Sequence, residues 1–92
     1  MAQALDRDTI QQELETLDGW SLQDEKLHKT YEFDDFVSAF GFLAKVALHA
    51  ERANHHPEIT NVYNRVTIDL TTHDVGGISD RDVQMARTVD GL

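Results

Sequence analysis

Ile59-Thr60-Asn61-Val62-Tyr63-Asn64-Arg65-Val66-Thr67-Ile68-Asp69-Leu70-Thr71-Thr72 carries the fold of this chain. Two runs rich in β-branched residues, Ile59–Tyr63 and Arg65–Thr72, meet at Asn64, the pattern of an antiparallel hairpin. In the second run Val66, Ile68 and Leu70 share one face, while Thr67, Asp69, Thr71 and His73 fall on the other if the alternation continues. One face of the hairpin therefore needs a covering layer, and the other is polar.

Upstream, Pro57 stops a helix, because it restricts the residue before it and has no N–H to donate. That helix is expected from about Asp35 to Ala53, with Asp34 or Asp35 capping its start. Its expected apolar stripe is Phe36, Phe40, Leu43, Ala47 and Ala50, widened by Val37 and Val46. Before it, Trp20–Gln23 and Leu27–Phe33 read as strands joined by a turn at Asp24-Glu25-Lys26. A short amphipathic helix is expected over Asp8–Leu17, with Ile10, Leu14 and Leu17 on one side, ended by Asp18-Gly19.

Downstream, Gly76-Gly77 marks a loop, and Ser79-Asp80-Arg81-Asp82 resembles a capping box with Asp82 in the usual Glu or Gln position. A last helix follows to Val89, its apolar residues Val83, Met85, Ala86 and Val89. The order is α-ββ-α-ββ-α. It predicts a two-layer α+β fold, a four-stranded antiparallel sheet with three helices on one face. With no repeat or linker, residues 1–92 read as a single domain.

At 92 residues the domain has a thin stability margin, and homo-oligomerisation is expected on that ground. No cysteine is present, which excludes disulfides and thiolate metal sites. The formal charge of −9, from 8 basic and 17 acidic residues, argues against direct nucleic-acid binding. The start, Met1-Ala2-Gln3-Ala4-Leu5-Asp6, shows no basic and apolar leader pattern, and no run reaches membrane-spanning length. A cytoplasmic protein without membrane attachment is expected.

Histidine is the side chain best suited to move protons near neutral pH. Of the five, His28 and His49 read as surface residues. His55-His56 precede Pro57, so their imidazoles should point in different directions. Glu51 lies one helical turn before His55, within reach of a hydrogen bond to an imidazole. His73 ends a strand where the chain opens into the glycine loop, and Arg81 lies in the first turn of the last helix, where backbone N–H groups attract anions. Zinc is the competing chemistry, but adjacent histidines converge poorly on one ion and no HExxH pair exists, so no metal is expected. Trp20, Phe36, Phe40 and Phe42 read as core or interface.

Glu51-Arg-Ala-Asn-His-His-Pro-Glu58, Asn61-Val-Tyr-Asn-Arg-Val66, Thr72-His73 and Ser79-Asp-Arg-Asp82 together resemble the signature of the pterin-4a-carbinolamine dehydratases. Gly19-Trp20 and Ala39-Phe-Gly-Phe42 extend the resemblance over about residues 19 to 86. It implies dehydration of 4a-hydroxytetrahydropterin to quinonoid dihydropterin during tetrahydropterin recycling, with the reduced pterin as substrate and no further cofactor. It also implies His55 and His73 as the acid–base pair, His56 as binding and orienting the pterin, Arg81 as completing the site and Glu51 as orienting an imidazole. Asn54 would touch substrate, although the family often has aspartate there, which puts a charged contact in question. Family members form dimers and tetramers, with sheets joining across subunits. Vertebrate members also partner a homeodomain transcription factor through a helical surface, a role that Ala39-Phe40-Gly41-Phe42 would serve here. Another pterin, in a molybdenum-cofactor-linked pathway, is the enzymatic alternative.

Overall fold

The computed structural model describes residues 3–92. Met1 and Ala2 of the expected domain and leader reading lie outside the described residues. The elements are α1 (Arg7–Leu14), β1 (Ser21–Gln23), β2 (Lys26–Glu32), α2 (Phe36–Ala53), β3 (Glu58–Val62), β4 (Arg65–Leu70), a 3-10 turn (His73–Val75) and α3 (Asp80–Asp90). The four strands form one antiparallel sheet in the order β1-β2-β4-β3. The α+β order α-ββ-α-ββ-α is the expected one.

β4 decides the layering. Val66, Ile68 and Leu70 are fully buried beneath α2 and α3, and Leu27 beside Leu70 on β2 is equally enclosed. Burying each such side chain contributes about 1.5–3 kcal/mol. The opposite face is polar. There His28 Nδ1 lies 2.7 Å from Asp69 Oδ1, Thr30 pairs with Thr67 across the strands, and Lys26 meets Glu58 at 2.7 Å.

Several boundaries differ from expectation, for local reasons. α1 begins after Asp6, whose side chain accepts from the Thr9 N–H, and ends at Leu14 rather than Leu17. Thr16 N–H bonds Glu13 O and Leu17 N–H bonds Leu14 O, tight i→i+3 links that break the helix and tuck Leu17 into the core. Gly19, with φ +83°, therefore shapes the turn into β1 and does not cap α1; a Cβ there would meet the Lys29 side chain at 2.9 Å. The first hairpin turns on Asp24 and Glu25, both at positive φ, and Lys26 already belongs to β2. β3 starts at Glu58, and the second turn is Tyr63-Asn64.

The face of α2 is a larger correction. Ala39, Phe42, Val46 and Ala50 are buried, with Leu43 partly so, whereas Phe36, Phe40, Val37 and Ala47 of the expected stripe stay exposed. The helix is apolar on two sides, so periodicity alone does not choose between them. Small Ala39 and Ala50 let the backbone approach the sheet, and Phe42 packs on Tyr31 and Phe33 at ring distances of 4.7 and 5.0 Å.

The end of α3 is pinned by Asp90. Its carboxylate accepts from Tyr31 Oη at 2.5 Å, Lys29 Nζ at 2.9 Å and Trp20 Nε1 at 3.0 Å. Partial burial works against the charge on Asp90, but these three donors outweigh it and hold the carboxyl below its ordinary value. Burial, reinforced by the Asp90 carboxylate, keeps the Tyr31 phenol protonated far above its usual range. A carboxyl held low adds stability above its unfolded pKa, and loses it as pH falls through the folded pKa. Asp90→Asn should therefore cost about 1 kcal/mol at pH 7, discounted because the carboxylate keeps partial solvent contact, or about 4–8 °C in Tm. The gap between variant and parent melts should close as pH falls below about 4.

Candidate active site

Asn54 closes α2 in a left-handed conformation, φ 51° and ψ 43°. Its N–H reaches Glu51 O, and His55 N–H reaches back to Ala50 O, the paired bonds of a Schellman ending. Asparagine tolerates this region better than most residues. The reversal sends the two histidines apart. His55 turns inward and is only 8% exposed, while His56 stays at the surface.

His55 Nε2 lies 2.5 Å from Oδ1 of Asp82, a carboxylate with no exposed surface. The other oxygen, Oδ2, accepts from Thr72 Oγ1 at 2.8 Å and from the Ser79 N–H at 2.9 Å. Ser79 Oγ lies 2.7 Å from Thr72 Oγ1, so the cluster is closed on itself. A carboxylate only accepts, which places a hydrogen on His55 Nε2; in the neutral imidazole Nδ1 then carries the lone pair. Nδ1 has no protein partner, and among the described residues no buried side-chain nitrogen or oxygen is left unpaired. Nδ1 is therefore not sealed from solvent.

His73 is held by a different device. β4 ends at Leu70, two residues earlier than expected, and Thr72 pairs instead with Gly77 through N–H···O bonds of 2.9 and 3.3 Å. His73 thus leaves the strand alternation and opens a 3-10 turn, which Gly76 ends at φ +70°. The closed loop presents an exposed imidazole to the cleft.

His55, His56, His73, Asn54 and Arg81 line one open cleft of about 240 Å³, together with Thr71, Thr72 and Asp74. Glu51 does not line it. Its Oε1 lies 2.6 Å from Nε2 of His56, and the residue that holds His55 is Asp82. His28 and His49 lie outside this cleft, and among the described residues no group of three or more possible metal ligands comes together.

Asp82 is the residue that sequence reasoning placed only as a helix cap. It does close the capping box of α3. The same carboxylate also grips His55, 27 positions away. The only hint in the sequence was an aspartate where a capping box usually has Glu or Gln.

The two-layer α+β domain thus gathers three histidines on one open cleft, one of them held by a buried carboxylate. The chain belongs to the pterin-4a-carbinolamine dehydratase family, whose members are hydro-lyases: the family described as Pterin 4 alpha carbinolamine dehydratase matches residues 3–92. A relative from Solibacter usitatus (strain Ellin6076), named for this dehydratase, is 51% identical over 92 residues, covering 100% of this chain and 97% of that protein. One of the same name from Prochlorococcus marinus (strain MIT 9303) is 55% identical over 78 residues, 85% of this chain and 81% of its own length. A crystal structure from Brucella melitensis, described as a transcriptional coactivator/pterin dehydratase, superposes with a TM-score of 0.93 at 41% identity, covering 96% of each chain.

Proposed function

We propose that this chain dehydrates pterin-4a-carbinolamine to quinonoid dihydropterin and water by histidine acid–base catalysis, in tetrahydropterin recycling. The carbinolamine carries a hydroxyl and a ring nitrogen on one carbon. As the C–O bond breaks, the nitrogen lone pair forms a C=N bond, the hydroxyl takes a proton and leaves as water, and a ring N–H gives up a proton. The enzyme must supply one proton and accept one, and neither step calls for a metal or redox group.

The observation that carries the reading is the His55–Asp82 pair at a cleft that His55 and His73 both line. Imidazoles are the side chains best suited to such a transfer at neutral pH. His56, exposed and held by Glu51, orients the pterin at the rim, Asn54 adds a neutral polar contact, and Arg81 offers donors from α3. No helix is long and apolar enough to cross a membrane among the described residues, and a cytoplasmic setting belongs to this proposal.

The test is a coupled assay in which phenylalanine hydroxylase generates the carbinolamine and ultraviolet absorbance follows its decay. Added protein should accelerate the decay above the uncatalysed background. No acceleration by folded protein would sink the reading.

The exposed outer side of α2 supports self-association, as dimer or tetramer. Val37, Phe40 and Leu48, at 79, 57 and 72% exposure, follow one another along the helix at three- and eight-residue steps. Phe40→Glu with Leu48→Glu should leave the melting curve cooperative and shift the mass measured by light scattering to that of one chain. A parent protein that is already monomeric at micromolar concentration would refute this use of the face.

A further inference from the structure

His55 and Arg81 also border a second hollow. It is a groove of about 360 Å³ between the end of α2 and the start of α3, lined also by His49, Arg52, Gln84 and Thr88. No carboxylate lines it, in a chain of net charge −9. Lys26, Lys29 and Arg87 each stand within 4 Å of an acidic partner, but among the described residues Arg52 and Arg81 form no ion pair. Two unpaired guanidinium groups, one from each helix, thus share a groove with a half-buried imidazole, an amide and a hydroxyl. This donor set matches a phosphate ester, which presents several acceptor oxygens and which guanidinium groups bind with charge-assisted bonds.

The groove and the cleft share His55 and Arg81 and so adjoin one another. We propose that the groove is an anion subsite that takes a phosphomonoester on the side chain of the pterin, an inference that rests on the dehydratase reading above. Arg52 and Arg81 hold the phosphate from opposite walls, and Gln84, Thr88 and His49 supply the remaining donors. The subsite selects among pterins by side-chain charge and takes no part in the chemistry at the ring.

The test compares two stable oxidised ligands by calorimetry at low ionic strength: 6-hydroxymethylpterin and its phosphate monoester. The ester should bind about tenfold tighter, and the preference should shrink as salt is raised. In an Arg52→Glu variant whose melting curve matches the parent, the preference should vanish or reverse. Inorganic phosphate should displace the ester toward the affinity of the neutral pterin. Equal affinities in the parent, or a preference untouched by Arg52→Glu, would overturn the subsite. Phosphate that binds without affecting the ester would show free-anion binding only and overturn it equally. The dehydratase reading is judged apart, by turnover of a carbinolamine with a neutral side chain. If that turns over while the ester binds no better, the subsite alone falls; if that carbinolamine is not turned over by folded protein, both readings fall.

Discussion

His73→Ala should slow carbinolamine dehydration roughly 10²–10⁴-fold, the usual cost of losing a positioned acid or base, while leaving the protein folded. The imidazole is exposed, makes no hydrogen bond within the described chain, and sits on a loop closed by Thr72 and Gly77 backbone bonds that the substitution does not touch. Its removal should change stability by no more than about 0.5 kcal/mol. His55 requires a different substitution. Alanine there would strip a donor from the fully buried Asp82, mixing a folding defect with a catalytic one. His55→Gln keeps an N–H within reach of Asp82 but cannot carry a proton in and out at neutral pH. It should lose activity on the same scale as His73→Ala. If both groups act on one turnover, a bell-shaped pH profile of kcat/KM should lose one limb in each variant, a change that loss of packing would not produce. Near-parental turnover by either folded variant, after subtraction of the uncatalysed rate, would remove that histidine from the proposed pair.

How much of this was legible in the sequence depends on the range of the interaction. β4 was readable because Val66, Ile68 and Leu70 alternate strictly, and strand periodicity is a local property. α2 was readable as a helix, but its buried side was not. With apolar residues on two faces, the choice was made by the fit of Ala39 and Ala50 against the sheet and of Phe42 against Tyr31 and Phe33. Helix and strand ends moved wherever a short backbone link intervened, as at Leu17 and at the Thr72–Gly77 bridge. The paired histidines ahead of Pro57 were conspicuous, and their divergence followed from the chain reversal. What a one-dimensional pattern could not carry was which acid backs which imidazole. Glu51 is near His55 in sequence, yet the left-handed Asn54 swings His55 away from it and toward α3, leaving Glu51 to His56.

Under the proposed reading, that exchange of partners makes Asp82 the residue on which fold and chemistry both depend. Asp82→Asn should lower turnover roughly 10²–10⁴-fold, although the side chains are nearly identical in shape. Oδ2 accepts from the Thr72 hydroxyl and the Ser79 N–H, so the oxygen of an asparagine must stay on that side. Its amide then faces His55 and donates to Nε2, which must now accept. The imidazole hydrogen is driven to Nδ1, which loses its lone pair. The loss should appear in kcat more than in KM, because the ring stays in place with the wrong tautomer. Nitrogen-15 NMR of the imidazole would read that exchange directly. Asp82→Ala should do something different. It strips the His55, Thr72 and Ser79 donors of their buried acceptor at once, at a cost of about 3–5 kcal/mol by analogy with a broken buried pair. Against a total of about 5–15 kcal/mol for a domain, that brings unfolding close to working temperature. An Asn variant that keeps both the fold and parental turnover would show that the Nδ1 lone pair of His55 is not what moves the proton.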